Sequence, residues 1–164
     1  FISGHYKTGE SLPKTLLDKL LAARNFQSAM QMVRQLEFSL FDFHLHKDYQ
    51  PGKKDQIQPI LDKVRKQVAV VIPPAFNRFQ HSFGHIFAGG YAAGYYGYAW
   101  ADVLAADAFS LFLKAGIFDR QLGERFLHCL LEKGGAKPAS ELFIDFCGHR
   151  PQVDALLTAR GILS

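Results

Sequence analysis

Cysteine is almost missing: among 164 residues there are two, Cys129 and Cys147, in neither a C-x-x-C nor a zinc-ribbon spacing. That excludes a disulfide framework, and two thiols in apolar helical stretches read as small buried side chains of a reduced, cytoplasmic chain. Runs of like charge are missing too. Nineteen Lys and Arg against fifteen Asp and Glu give a formal charge of +4, but the two signs are dispersed, so a basic nucleic-acid arm is excluded. From Ile86 to Ala101 there are sixteen uncharged residues, fewer than the roughly 20 needed to span a bilayer, and Asp102 and Asp107 follow inside the same periodic segment. The opening FISGHY has neither the basic nor the apolar region of a signal peptide, and Phe1 stands where an initiator methionine is expected. The chain therefore reads as cut from something longer. No Gly-x-Ser-x-Gly elbow and no phosphate-binding loop is present, which leaves nucleophilic hydrolase and nucleotide-binding readings without an anchor. Fixed-period repeats and low-complexity linkers are lacking as well.

What is present is apolar residue at helical spacing. With 48% of its residues hydrophobic the chain can bury a core. Ser11 is a candidate N-cap ahead of Pro13, and Leu16, Leu17, Leu20 and Leu21 make a short amphipathic helix through Ala23. From Asn25 to about His46, Phe26, Ala29, Met30, Val33, Leu36, Leu40 and Phe41 repeat at i, i+3, i+4, i+7, which predicts a second helix buried on more than one side. Pro59 suits the first turn of a third helix running to Val68, and Pro73-Pro74 opens a loop to Gly84. Ala88 to Ala115 is predicted as the longest helix, closed by Gly116. Three shorter ones follow near Asp119–Lys133, Pro138–Cys147 and Pro151–Arg160, with Gly134, Gly135, Gly148 and Gly161 at their ends. No alternating pattern suggests a strand, so the fold class is all-α with about seven helices.

His81 and His85 are four apart, the spacing with which H-E-x-x-H holds zinc on one helical face. Ser82 stands where such a motif needs its carboxylate base, and a neutral hydroxyl cannot take a proton from metal-bound water. His44 and His46, two apart, point to opposite sides of a helix, while His5, His128 and His149 are isolated. No metal site is expected from these residues.

If Ala88–Ala115 is helical, Tyr91, Tyr95 and Tyr98 share one face with Asp102, and Tyr96 and Trp100 turn into the core beside Ala93, Val103 and Leu104. Gly90, Gly94 and Gly97 flank the stripe, each costing about 1 kcal/mol against alanine in a helix interior. Two accounts offset that cost. In one, the glycines admit a neighbouring helix and the tyrosines are half buried; in the other, a mobile Gly-rich entry lays neutral phenols over a substrate, where they donate to a developing oxyanion. Spacing does not choose between them.

FGHIFAGGYAAGYYGYAWADV resembles a hallmark stretch of the oligopeptidase A and thimet oligopeptidase family of zinc metallopeptidases. SGHYKTGE, AARNFQSAMQMVRQLEFSLFDFHLH, the GG-x-x-x-x-ELF segment and DALLTARGI extend the likeness over nearly the whole chain, 1–164, as the carboxy-terminal helical segment of a peptidase catalytic domain. The resemblance implies a two-lobed helical shell around a channel, with zinc on one wall, held by an H-E-F-G-H motif and a further glutamate that precede the matched region. This segment would then lack the zinc ligands, face them, and be inactive alone. Tyr98 and His85 are implied as oxyanion-stabilising catalytic residues, Tyr91 and Tyr95 as substrate-binding residues, and Gly89 and Gly90 as the hinge of a substrate-clasping loop. The histidine-to-tyrosine spacing varies by a residue among branches of that family, which leaves His81 as the rival of His85. The partners implied are short peptides and the preceding part of the same chain, with no nucleic acid and no membrane. The contrasting class is a freestanding helical module that grips peptides through the tyrosine face without chemistry.

Overall fold

The computed structural model describes residues 4–163, and Phe1 lies outside them. The described residues are helical, with no strand among them: α1 (Lys14–Ala23), α2 (Ser28–Asp48), α3 (Ile57–Val68), a 3-10 turn (Phe79–Ser82), α4 (Gly84–Phe87), α5 (Gly97–Ala115), α6 (Arg120–Phe126), α7 (Ala139–Cys147) and α8 (Asp154–Ala159). The all-α class is as the periodicity predicts.

Two apolar clusters organise these elements. In the first, α2 presents Phe41 and Leu45 to Leu61 of α3, and Phe83, Ile86 and Tyr95 close the cluster from the following loop and turn. Phe79 stacks on Phe38 with ring centroids 4.3 Å apart, and Phe83 meets Tyr95 edge-on at 5.0 Å. Offset and edge-to-face contacts of this kind add to plain area burial. In the second, Ala108 of α5 and Leu122 of α6 pack with Phe143, Phe146 and Cys147 of α7. Helix α8 lies against α5, and Arg24 Nη2 and Ser28 Oγ reach the Ala159 and Arg160 carbonyls at its end, so the last helix is tied back to the start of α2.

Buried charge fixes the loop between the clusters. Glu37, 1% exposed, accepts at Oε1 from Arg65 Nε at 3.0 Å and from Arg34 Nη1 at 2.7 Å. Arg65 Nη2 then donates to Asn77 Oδ1 at 3.1 Å, which also accepts from Phe79 N at 3.3 Å. An unpaired charge at this depth would be costly, so the Glu37 carboxylate and the Arg65 guanidinium must stay together, with the half-exposed Arg34 as a further donor. The result is a loop from Pro73 to Phe83 pinned to α2 and α3, with its aromatics delivered to the core.

Several elements differ from the sequence expectation. The predicted helix Ala88–Ala115 is not continuous: α5 begins only at Gly97, because Gly90 has φ +78° and Ala93 φ +55°, which no right-handed helix can contain. The longest helix is consequently α2. Tyr96 and Trp100, expected in the core, are 42% and 52% exposed, since they stand at the start of α5, where neither apolar cluster covers them. Ser11 does not cap α1, which starts after Pro13 without a side-chain cap, and none of its leucines is buried. The predicted Asp119–Lys133 helix is α6, capped by Asp119 Oδ1 accepting from Leu122 N at 2.7 Å, continued by a π-turn over Leu127–Leu131.

Phe41 is fully buried at the centre of the first cluster. Phe41→Ala should therefore lower the unfolding free energy by about 3–5 kcal/mol in chemical denaturation; a loss below about 1 kcal/mol would show that this cluster does not carry the fold. Burial also pushes the Cys147 thiol up to about 11, leaving it protonated at neutral pH. Iodoacetamide should accordingly alkylate the partly exposed Cys129 well before Cys147 in the native protein, as mass spectrometry of the tryptic peptides would read.

Candidate functional site

The site is built where the chain leaves α4 and turns into α5. Helix α4 carries His85, whose carbonyl accepts from Tyr91 N at 3.1 Å, so that histidine and first tyrosine are joined by backbone across the glycines. Gly89 fits there because a Cβ would meet the His85 carbonyl oxygen at 3.1 Å, and Gly90 because it is left-handed. After Tyr91 the chain makes a turn closed by Gly94 N donating to the Tyr91 carbonyl at 2.8 Å, and α5 starts three residues later.

The turn brings four rings together. Tyr98 lies 5.0 Å from Tyr91 and 5.2 Å from Tyr95 between centroids. The His85 ring sits 6.2, 5.6 and 6.0 Å from Tyr91, Tyr95 and Tyr98 respectively. The grouping expected of a helical stripe thus exists, although a folded turn rather than a helix produces it. Its members are not equivalent. Tyr91 and Tyr98 are 42% exposed, whereas Tyr95 is 8% exposed and belongs to the first core cluster, with its hydroxyl donating to Gln35 Oε1 at 2.8 Å.

A cavity of about 390 Å³ opens beside this grouping, lined by His85, Tyr95 and Tyr98 together with Gln35, Asp102 and Arg160. Asp102 Oδ2 accepts from Arg160 Nη2 at 3.2 Å, which places one cation at the rim. His81 is elsewhere: it lines a larger open groove of about 1240 Å³ with Lys53, Lys54 and Arg78. Phe83, at ψ +63°, breaks the helical path between the two histidines, so they do not share a face. Of the rivals, His85 is the one beside the tyrosines. Among the described residues no group of three or more His, Cys, Asp or Glu side chains could hold a metal ion.

Electrostatics keep the phenols neutral. Tyr98 is raised above its ordinary value, first by its side-chain hydrogen bond with Tyr91, then by loss of solvent and by the Tyr91 and Tyr95 phenols. Tyr95 is raised by burial. Both hydroxyls therefore remain protonated donors throughout the neutral range, and a neutral donor brings no competing charge to a developing anion.

Sequence reasoning missed the residue that holds the turn. Asp42 of α2 is fully buried; its Oδ1 accepts from Ala93 N at 2.9 Å and its Oδ2 from Tyr95 N at 3.0 Å. The available signal was an acid set between Phe41 and Phe43 in the middle of an apolar stripe. Gln35, on the same helix, was missed for want of any local signal.

Comparison with known proteins gives consistent results. The sequence profile described as Peptidase family M3 matches residues 1–162. The chain is similar to oligopeptidase A of Salmonella typhimurium, 57% identical over 162 residues, which is 99% of this chain and 24% of that protein. It is 44% identical over 167 residues to the probable cytosolic oligopeptidase A of Arabidopsis thaliana, covering 99% of this chain and 24% of the relative. With saccharolysin of Saccharomyces cerevisiae the identity is 32% over 164 residues, 98% of this chain and 23% of the relative. The chain thus spans about a quarter of the length of the curated relatives it matches.

The burial of Tyr95 has a measurable consequence. Its neutral form is the one the fold favours, so the stability it contributes is complete below about pH 10, the ordinary phenol value, and is lost as pH rises through the displaced one. Absorbance titration at alkaline pH should show a component ionising above the ordinary phenol value, and Tyr95→Phe should remove the Tyr95 share of it. A late component that is the same size in the wild type and in Tyr95→Phe would contradict the burial.

Proposed function

Because this chain belongs to peptidase family M3, we propose that it is the carboxy-terminal, substrate-facing segment of a zinc metallo-oligopeptidase that hydrolyses short peptides in the cytoplasm. Zinc enters this proposal as a cofactor held outside the segment, since the described residues offer no ligand set for it. Alone, the segment is inactive. Its partners are the rest of its own chain and short peptides, with neither nucleic acid nor membrane involved; no described helix is long and apolar enough to cross a membrane.

In this reading the segment supplies donors. As the scissile carbonyl becomes tetrahedral, negative charge develops on its oxygen, and hydrogen-bond donors fixed in advance stabilise that charge without having to reorganise. Tyr98 fits the task because its hydroxyl is neutral, half-exposed and carried on the first turn of α5. His85, beside it at the cavity, donates to the same oxygen or to the neighbouring substrate backbone. Tyr91 and Tyr95 supply an aromatic wall for the peptide, Tyr95 as the rigid part and Tyr91 as the exposed one. Gly89 and Gly90 form the hinge on which Tyr91 swings toward a bound peptide. The single observation that carries the reading is the convergence of the His85, Tyr95 and Tyr98 rings at one cavity, with Tyr91 against His85 and Tyr98 beside it.

The test is Tyr98→Phe in the complete peptidase. It should lower kcat about 10²-fold with the peptide KM little changed, and the melting temperature should stay within about two degrees because only a hydroxyl at a half-exposed position is removed. Unchanged turnover would remove Tyr98 from the chemistry.

A further inference from the structure

The turn that carries the tyrosines does not hold itself. Gly90 and Ala93 both have positive φ, and Ala93 is the strained one because it adopts that conformation although it bears a Cβ. A non-glycine residue stays there only where its surroundings over-determine it. Here the determinant is visible: the Asp42 carboxylate reaches from α2, 51 residues earlier, and accepts the Ala93 and Tyr95 amides, one on each oxygen. His46 Nδ1 pairs with the Asp42 backbone carbonyl at 2.8 Å and lies 2.9 Å from its Oδ1, so the buried carboxylate is satisfied by two backbone amides with an imidazole beside it. Charge-assisted bonds to backbone are among the stronger ones available, and these two close on residues flanking Gly94.

We propose that Asp42 is a positioning residue for the tyrosine wall: its carboxylate holds Ala93 left-handed and the Tyr95 amide in place, and thereby sets the separation of Tyr98, Tyr91 and His85. The transmission is short. Tyr95 is fixed at its amide by Asp42 and at its hydroxyl by Gln35, both on α2. Tyr98 N donates to the Tyr95 carbonyl at 3.2 Å, so the first turn of α5 starts from a clamped residue. Asp42 touches no reacting atom and acts only through Tyr95 and Tyr98. The inference rests on the reading that Tyr98 and His85 donate to the peptide undergoing hydrolysis.

Asp42→Asn is the discriminating variant, since it keeps the shape but offers one acceptor and turns an N–H₂ toward the other amide. In the complete peptidase, cleaving an internally quenched peptide, it should lower kcat about tenfold or more with KM changed less than about threefold. Combined with Tyr98→Phe it should add little, because both remove the same contribution. Ala93→Gly in the Asp42→Asn background should restore part of the rate, as glycine needs no clamp at positive φ. Hydrogen exchange over residues 91–96 should accelerate in Asp42→Asn and not in Tyr98→Phe. Ala93→Val, which opposes positive φ from the exposed side of the turn, should lower kcat in the same way and serves if Asp42→Asn does not fold. Wild-type kcat in Asp42→Asn, or rate losses that multiply fully with Tyr98→Phe, would overturn the positioning role, whatever the exchange shows. Should Tyr98→Phe alone leave turnover intact while Asp42→Asn slows it and loosens residues 91–96, the clamp stands and the role given to Tyr98 falls.

Discussion

A buried carboxylate that accepts two amides from a distant turn is the constraint on which the site depends. Asp42 has no exposure, and Ala93 and Tyr95 stand 51 and 53 residues further along. Without those bonds the residues from Ala88 to Tyr96 would have little reason to stay folded, being rich in glycine and interrupted by positive φ at Gly90 and Ala93. With them, the segment becomes a rigid corner between the two apolar clusters. Tyr95 fills the first cluster, and α5, which begins two residues later, runs into the second. One side chain therefore couples the packing of the core to the arrangement of the cavity mouth.

The corner is firm at one end and free at the other. From Ala93 onward the backbone is tied to α2, whereas Gly89 and Gly90 are joined to the rest only through the Tyr91 amide on the His85 carbonyl. Such a division suits the proposed peptide-binding role, in which one donor is held at a set position: Tyr98 and Tyr95 lie on the firm side, Tyr91 at the boundary. The neutral state of two of the phenols belongs to the same arrangement, because the hydrogen bond with Tyr91 disfavours ionisation of Tyr98 and burial disfavours that of Tyr95.

Much of this was legible from residue order. The stripe Phe41, Leu45 in α2 and Leu61, Val64 in α3 follows helical periodicity, and both helices stand close to where that periodicity puts them. The tyrosine grouping was legible for a different reason from the one that produces it. Spacing alone suggested one helical face, whereas the rings converge because the chain turns back at Ala93. What periodicity could not show were contacts across long separations: Glu37 with Arg65, Asp42 with the 93–95 turn, and Asp107 Oδ2 accepting from Gln152 N at 2.8 Å. Each pairs a buried charge with a partner chosen by the fold, so no local pattern announces it. Tyr96 and Trp100 were misplaced because periodicity does not show which stretch of a helix the apolar clusters cover. Site roles came from resemblance, which covers the whole segment but not the remaining three-quarters of the relatives' length.

The central claim is that the clamped part of the site, Tyr95 and Tyr98, is set before substrate arrives. The most direct measurement is a crystal structure of the complete peptidase with and without a phosphinic peptide mimicking the tetrahedral state. The account predicts the Tyr98 hydroxyl at about 2.7 Å from a phosphinate oxygen, with both bonds from the 93–95 amides to Asp42 present in the two structures. A Tyr98 ring turned away from the phosphinate, or a turn that forms those bonds only when the inhibitor is bound, would contradict it.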